Sequence, residues 1–274
     1  TSAEHEFLLD YYNLDSIGWG SPFLLVPEVT NVDKSTIELL KKSDDNDVYI
    51  SDISPLGVMF SNLKNNTMEL EKGKRIKKDS PGSSCPKRYL ALNKEFDDLG
   101  LCLASSNYQR NKIEKIDKEE LLSEDEYIYR YGKIVEKSCL CVGLANSALI
   151  VNNLDEKPTD RDVSICPGPN IVYFSNIMTL VEILSHIYGK INVISKERSS
   201  LFINELRIYI KLIQSKKERL LIDNKSEIDN ITKSIKEGIE YYKNLVEELE
   251  DKFEDIKQSI LLDISNLETE FLNL

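Results

Sequence analysis

Five cysteines, Cys85, Cys102, Cys139, Cys141 and Cys166, carry most of the chemistry open to this 274-residue chain. Histidines number only two, His5 and His186, so histidine-rich metal sites and most histidine-dependent triads are poorly supplied. The thiols occupy comparable places. Cys102 ends an apolar run just before Ser105-Ser106, a helix-capping pair. Cys139 and Cys141 frame Cys-Leu-Cys ahead of Gly143. Cys166 opens Cys166-Pro167-Gly168-Pro169-Asn170, and Cys85 closes the turn-rich stretch Asp79 to Ser84. Thiolates at strand ends facing helix N-termini are favoured by free N–H groups and the helix dipole. Several of them together could hold zinc or an iron–sulfur cluster. Cys102, Cys139, Cys141 and Cys166 are the expected ligands, with Cys85 a fifth or exchangeable one. No Cys-x-x-Cys is present. A redox pair or catalytic thiol at Cys139/Cys141 is the second reading, and inert core cysteines the third.

This placement presupposes elements that would gather the thiols. Short apolar runs at 16–26, 47–51, 88–92, 99–103, 139–141, 163–166, 171–174 and 191–194 read as extended. They alternate with helical patterns at 4–12, 33–42, 105–116, 124–136, 143–151 and 176–188. That rhythm predicts an α/β layer with a mostly parallel sheet and flanking helices. The expected divisions are a βα segment over 1–60, a polar loop over 61–87, a cysteine-bearing α/β domain over 88–195 and a helical hairpin over 196–274. In an open parallel sheet, ligands bind beyond the carboxyl ends of the strands, which is where four of the thiols would lie.

The C-terminal part has a different pattern. From Ser199 onward there is no proline and one glycine, Gly238. Apolar residues from Ile228 to Leu274 recur with a period close to the 3.5 of a left-handed supercoil. This predicts one helix from Asp223 to Leu274, about 75 Å long at 1.5 Å per residue. A helix over 201–221 would pack against it through a turn at Ile222-Asp223-Asn224-Lys225. The stripe could serve self-association or a protein partner, or be used up within the hairpin.

A second, smaller candidate is Gly18-Trp19-Gly20-Ser21-Pro22, either a backbone cradle for phosphate or a tight turn needing small residues. Ser2 to Leu9, Leu14 to Gly20 and Phe23-Leu24-Leu25 together resemble a late βα step of flavin-binding TIM barrels of the glutamate synthase, IMP dehydrogenase and nitronate monooxygenase type. The likeness covers about 25 residues. It implies that Gly18, Gly20 and Ser21 contact a flavin or another phosphate-bearing ligand. The resemblance does not extend to the cysteine spacing, and the glycine pair expected ahead of Thr1 is absent.

Composition bounds the rest. The net charge of −12 gives no electrostatic footprint for broad binding to nucleic acid or to an anionic membrane surface. No run approaches 18 uncharged apolar residues. An odd number of cysteines in a long chain favours a reducing, cytoplasmic setting over a disulfide framework. The basic run Lys72, Lys74, Arg75, Lys77 and Lys78 reads as a solvated loop, and His186 as a core or edge histidine. The opening Thr1-Ser2-Ala3-Glu4 reads as a helix start inside a longer protein. The expectation is thus the C-terminal portion of a larger enzyme, oxidoreductase-like, with a thiolate metal or iron–sulfur site. The alternative is a non-catalytic interaction or oligomerisation module whose coiled coil docks a partner and whose cysteines are structural. Neither substrate nor catalytic residue is legible.

Overall fold

The computed structural model describes residues 1–85, 87–154, 162–194, 198–219, 225–248 and 254–274. The chain forms two compact units, Thr1–Glu197 and Arg198–Leu274.

Within the first unit the helical patterns become helices, and one further helix forms over Thr67–Lys77, in the stretch expected to be a polar loop. They are α1 (Ser2–Tyr11), α2 (Lys34–Lys42), α3 (Thr67–Lys77), α4 (Ser106–Ile116), α5 (Glu124–Val135), α6 (Leu140–Val151) and α7 (Leu180–Ile187). Local chemistry starts most of them. Thr1 and Thr179 form capping boxes with Glu4 and Glu182. Asp33, Asn66, Ser105 and Ser123 cap α2, α3, α4 and α5 with a side-chain oxygen. Gly189, at φ +69°, follows α7 in the left-handed conformation expected of a helix-ending glycine.

The expected parallel sheet is absent. Among the described residues the only strands are β1 (Val48–Ser51) and β2 (Phe60–Leu63), an antiparallel pair with Val48 opposite Leu63 and Ser51 opposite Phe60. The unit is therefore mostly helical, and the α/β reading is corrected. The predicted extended runs are short, and a short apolar run can be buried without a sheet neighbour. Val163–Ile165 illustrates how. Thr67 Oγ1 accepts the Val163 N–H at 2.7 Å, Gly143 O accepts the Ser164 N–H at 3.0 Å, and Met68 donates to Val163 O at 3.2 Å. Helix ends thus satisfy the backbone groups that a sheet would have paired. Residues 99–103 make one isolated pairing, Asn93 with Leu101, and the 139–141 segment is the start of α6. Part of 16–26 and of 171–174 coils into 3₁₀ turns, Ser21–Leu25 and Pro169–Tyr173. The 61–87 segment holds the end of β2 and the whole of α3.

The main core joins Leu25, Leu40, Leu63, Ile171, Phe174 and Ile183, all buried. A smaller cluster of Ile53, Phe60 and Leu140 lies where the β-hairpin meets the start of α6. Each fully buried side chain of this size contributes about 1.5–3 kcal/mol relative to exposure.

Asp33 ties α2 to α6. Burial alone would raise its pKa. Hydrogen bonds from the Ser35 and Thr36 hydroxyls, the Thr36 N–H and the Ser147 hydroxyl outweigh this and hold it below the ordinary carboxylate value. A depressed folded-state pKa contributes stability above the unfolded value of about 3.9, and that contribution is lost as pH falls through the folded value. Asp33→Asn keeps a cap acceptor but trades charged hydrogen bonds for neutral ones, at a cost of about 1–2 kcal/mol. Urea midpoints at pH 7, 4 and 3 should show the variant less stable at pH 7 and declining less steeply than wild type between pH 4 and 3. Parallel declines would refute the role of the Asp33 charge.

The second unit contains α8 (Leu201–Arg219), α9 (Lys225–Glu247) and α10 (Glu254–Leu272), which pack on one another. The single long helix is corrected. Lys243 of α9 pairs with Glu268 of α10, residues that one continuous helix would hold about 37 Å apart. Gln214 of α8 donates to Glu270 of α10 at 3.1 Å. The expected turn at 222–225 lies, except for Lys225, outside the described residues. The periodic stripe is used within the chain: Ile235, Ile239, Leu245, Ile260, Ile264, Leu267 and Phe271 are all buried. At Gly238 a Cβ would meet Leu206 Cδ2 at 3.7 Å, so this glycine faces α8 without being sterically required.

Candidate functional site

Without a parallel sheet, the thiols have no common strand edge on which to collect. Four of them nevertheless lie near enough to influence one another electrostatically, by a different route. Cys139 is the N-cap of α6 and Cys141 lies in its first turn. Cys102 lies three residues ahead of Ser105, the N-cap of α4. The Ser105 N–H and hydroxyl both donate to Cys102 O, at 2.9 and 2.7 Å. Cys85 is carried by a loop joined to the start of α4: Ser83 donates to Ala104 O at 2.9 Å and accepts from Ser106 N at 3.0 Å. Gly82, at φ +83°, permits this approach, because a Cβ there would lie 2.6 Å from Ser106 Cα and N.

Two further side chains brace the arrangement. Gln109, fully buried on α4, donates to Leu103 O at 3.3 Å and Lys137 O at 3.2 Å, and so links the segments that follow Cys102 and precede Cys139. Lys72 of α3 donates to Glu136 O and Ser138 Oγ, both at 3.0 Å. The basic run is therefore helical, and Lys72 is structural rather than a solvated loop residue.

The electrostatics register the proximity. Burial pushes the Cys102 thiol up to about 11. Ala104 and Ser105 N–H groups oppose the rise, and the nearby Cys85 and Cys141 add to it. Burial likewise pushes Cys139 up to about 12, reinforced by the Cys141 thiol, both as a charge and as a hydrogen-bond partner, and by Cys85, against the Val142 N–H. The two buried sulfurs are therefore neutral thiols near pH 7. Among the described residues, no three cysteine, histidine or acidic side chains stand in position to share an ion.

Cys166 lies apart from this group. It is exposed, raised by burial of its sulfur against an opposing Ser61 N–H, with no influence from another thiol. Its turn is pinned elsewhere: Ser61 donates to Pro167 O at 2.6 Å, and Gly168 N donates to Ser21 Oγ at 2.7 Å. Ser21 thus has a structural partner. Gly18 and Gly20 are exposed, with no atoms near a would-be Cβ, on irregular chain leading into the first 3₁₀ turn. His186 is buried edge-on to Trp19 and Phe174, and burial pushes its pKa down. Sequence reading missed Gln109 and the Gly82–Ser83 brace. The signal for the brace was the run Pro81-Gly82-Ser83-Ser84 directly before Cys85.

Comparison with known proteins gives no family: no family model, no curated protein and no solved structure matches the chain. Among the described residues no single helix is long and apolar enough to cross a membrane.

Proposed function

We propose that Cys85, Cys102, Cys139 and Cys141 form a thiolate centre for an iron–sulfur cluster or zinc, serving a larger oxidoreductase. The observation that supports this is the mutual electrostatic influence of four thiols from three chain segments, which the Ser83–Ser105 pairing and the Gln109 bridge hold near one another. Among the described residues no three side chains stand in position to share an ion, so binding requires the sulfurs to close up. Metal binding would give that proximity a role. Neutral thiols do not need one another, and thiolates repel, but a cation replaces their protons and draws the sulfurs to about 2.3 Å from a common zinc. The N–H groups of Ala104, Ser105 and Val142 favour the anionic sulfurs that a metal requires. The C-terminal stripe gives less support to a docking module, because its apolar residues are already buried within the chain.

The test is metal and acid-labile sulfide analysis of protein purified without oxygen from cells supplied with iron and zinc. About one zinc or one cluster per chain is expected, and sulfide separates the two. Metal-free protein, with Cys139 and Cys141 recovered as a disulfide or as free thiols, would overturn the reading.

A further inference from the structure

A groove of about 490 Å³ lies between α4 and α5, and five cations line it: Lys112, Lys115, Arg130, Lys133 and Lys137. Glu119 is the sole acid among the lining residues, and Leu103, Ile116 and Ile134 supply apolar surface. On a chain of net charge −12 these cations are clustered, though acids outside the lining, Glu95, Glu126, Asp52 and Glu136, pair with them. The sequence contains it at helical spacing, with Lys112 and Lys115 three apart on α4 and Arg130, Lys133 and Lys137 three and four apart at α5 and its end.

The cations are held in place by acids at or beyond the rim. Glu95 takes both Lys112 and Lys115 at 2.8 Å, Arg130 pairs with Glu119 and Glu126, and Lys133 reaches Asp52 at 3.2 Å. The more exposed pairs of Arg130 and Lys133 contribute about 0–1 kcal/mol each, so an incoming anion can take a share of those cations at small cost. Lys112 and Lys115 hold Glu95 more firmly, their hydrogen bonds taking its pKa down to about 2, and an anion there would share them with Glu95. The volume suits a small molecule rather than a protein segment, and the mixed apolar and cationic lining suits a ligand with an uncharged body and a multiply charged end.

We infer that this groove binds a small molecule bearing a phosphate or diphosphate group. The inference stands independently of the metal centre. Lys112, Lys115 and Lys133 would contact a phosphate as point charges, and Arg130 could offer it a planar, bidentate guanidinium.

Calorimetric titration of the full chain with inorganic pyrophosphate, in metal-free buffer, tests it. One saturable site per chain is expected, weakening as sodium chloride is raised. Lys112→Gln with Lys133→Gln should weaken binding at least tenfold, while Lys233→Gln on α9 should not change it. Circular dichroism melts confirm that each variant is folded. No saturable binding, or equal affinity in the double variant and wild type, would overturn the inference. So would equal loss in Lys233→Gln, since that marks diffuse ion association.

Discussion

Alanine at Cys102 or at Cys139 is expected to lower retained metal at least tenfold, whereas alanine at Cys166 leaves it unchanged. The two buried thiols lie at the beginnings of α4 and α6, fixed by Ser105 and by the α6 N-cap position. Removal of either leaves at most three sulfurs for an ion that prefers four ligands in a closed structural site. Cys166 is exposed, lies by Ser61, and is uninfluenced by the other thiols, so its loss removes no ligand. Metal analysis of the three variants, purified together without oxygen, gives the comparison. Each alanine removes only one sulfur atom, from the core in the Cys102 and Cys139 variants and from the surface in the Cys166 variant, and circular dichroism separates loss of metal from loss of fold. Equal metal in wild type and Cys102→Ala would remove Cys102 from the centre. Loss in Cys166→Ala would show that the ligand set had been drawn wrongly.

The places of Cys102 and Cys139 beside helix starts were legible, but the packing that brings their segments near each other was not. The expected gathering of Cys102, Cys139, Cys141 and Cys166 on one edge rested wholly on a parallel sheet, although Ser105 and the apolar run after Cys139 did disclose the starts of α4 and α6. Among the described residues that sheet is absent, so the shared edge does not exist for any of the four. The run Val163–Ile165 has the composition of a strand, yet its partners are Thr67 and Gly143, residues of α3 and α6 distant in sequence. Periodicity over three or four residues does not reveal whether a backbone will pair with a strand or with helix ends. The same limit explains α9 and α10. A stripe with one period reads as one helix, and the reversal that brings Lys243 to Glu268 leaves that period intact on both sides. Gln109 was invisible for another reason. Its amide matters because it donates to carbonyls on two segments, and nothing in a sequence marks a backbone acceptor.

Gly82→Ala should destabilise the first unit by about 2–5 kcal/mol and weaken metal retention as well. Two costs combine. A non-glycine residue in the left-handed region costs about 1–2 kcal/mol, and Gly82 has φ +83°. The added Cβ would also stand 2.6 Å from Ser106 Cα and N, backbone atoms of α4 that cannot rotate aside. Overpacking of this kind costs about 1–3 kcal/mol. Relief requires the loop to move off α4, which breaks the Ser83–Ala104 and Ser106–Ser83 hydrogen bonds and carries Cys85 away from Cys102. Gly57→Ala supplies the control. Gly57 has φ +72° but nothing within 4 Å of a would-be Cβ, so it incurs the backbone cost alone. Urea midpoints for the two variants measure the difference, expected to be about 1–3 kcal/mol in favour of Gly57→Ala. Equal losses would mean that the contact between the Cys85 loop and α4 yields freely. The brace would then have no part in holding the fourth thiol near the other three.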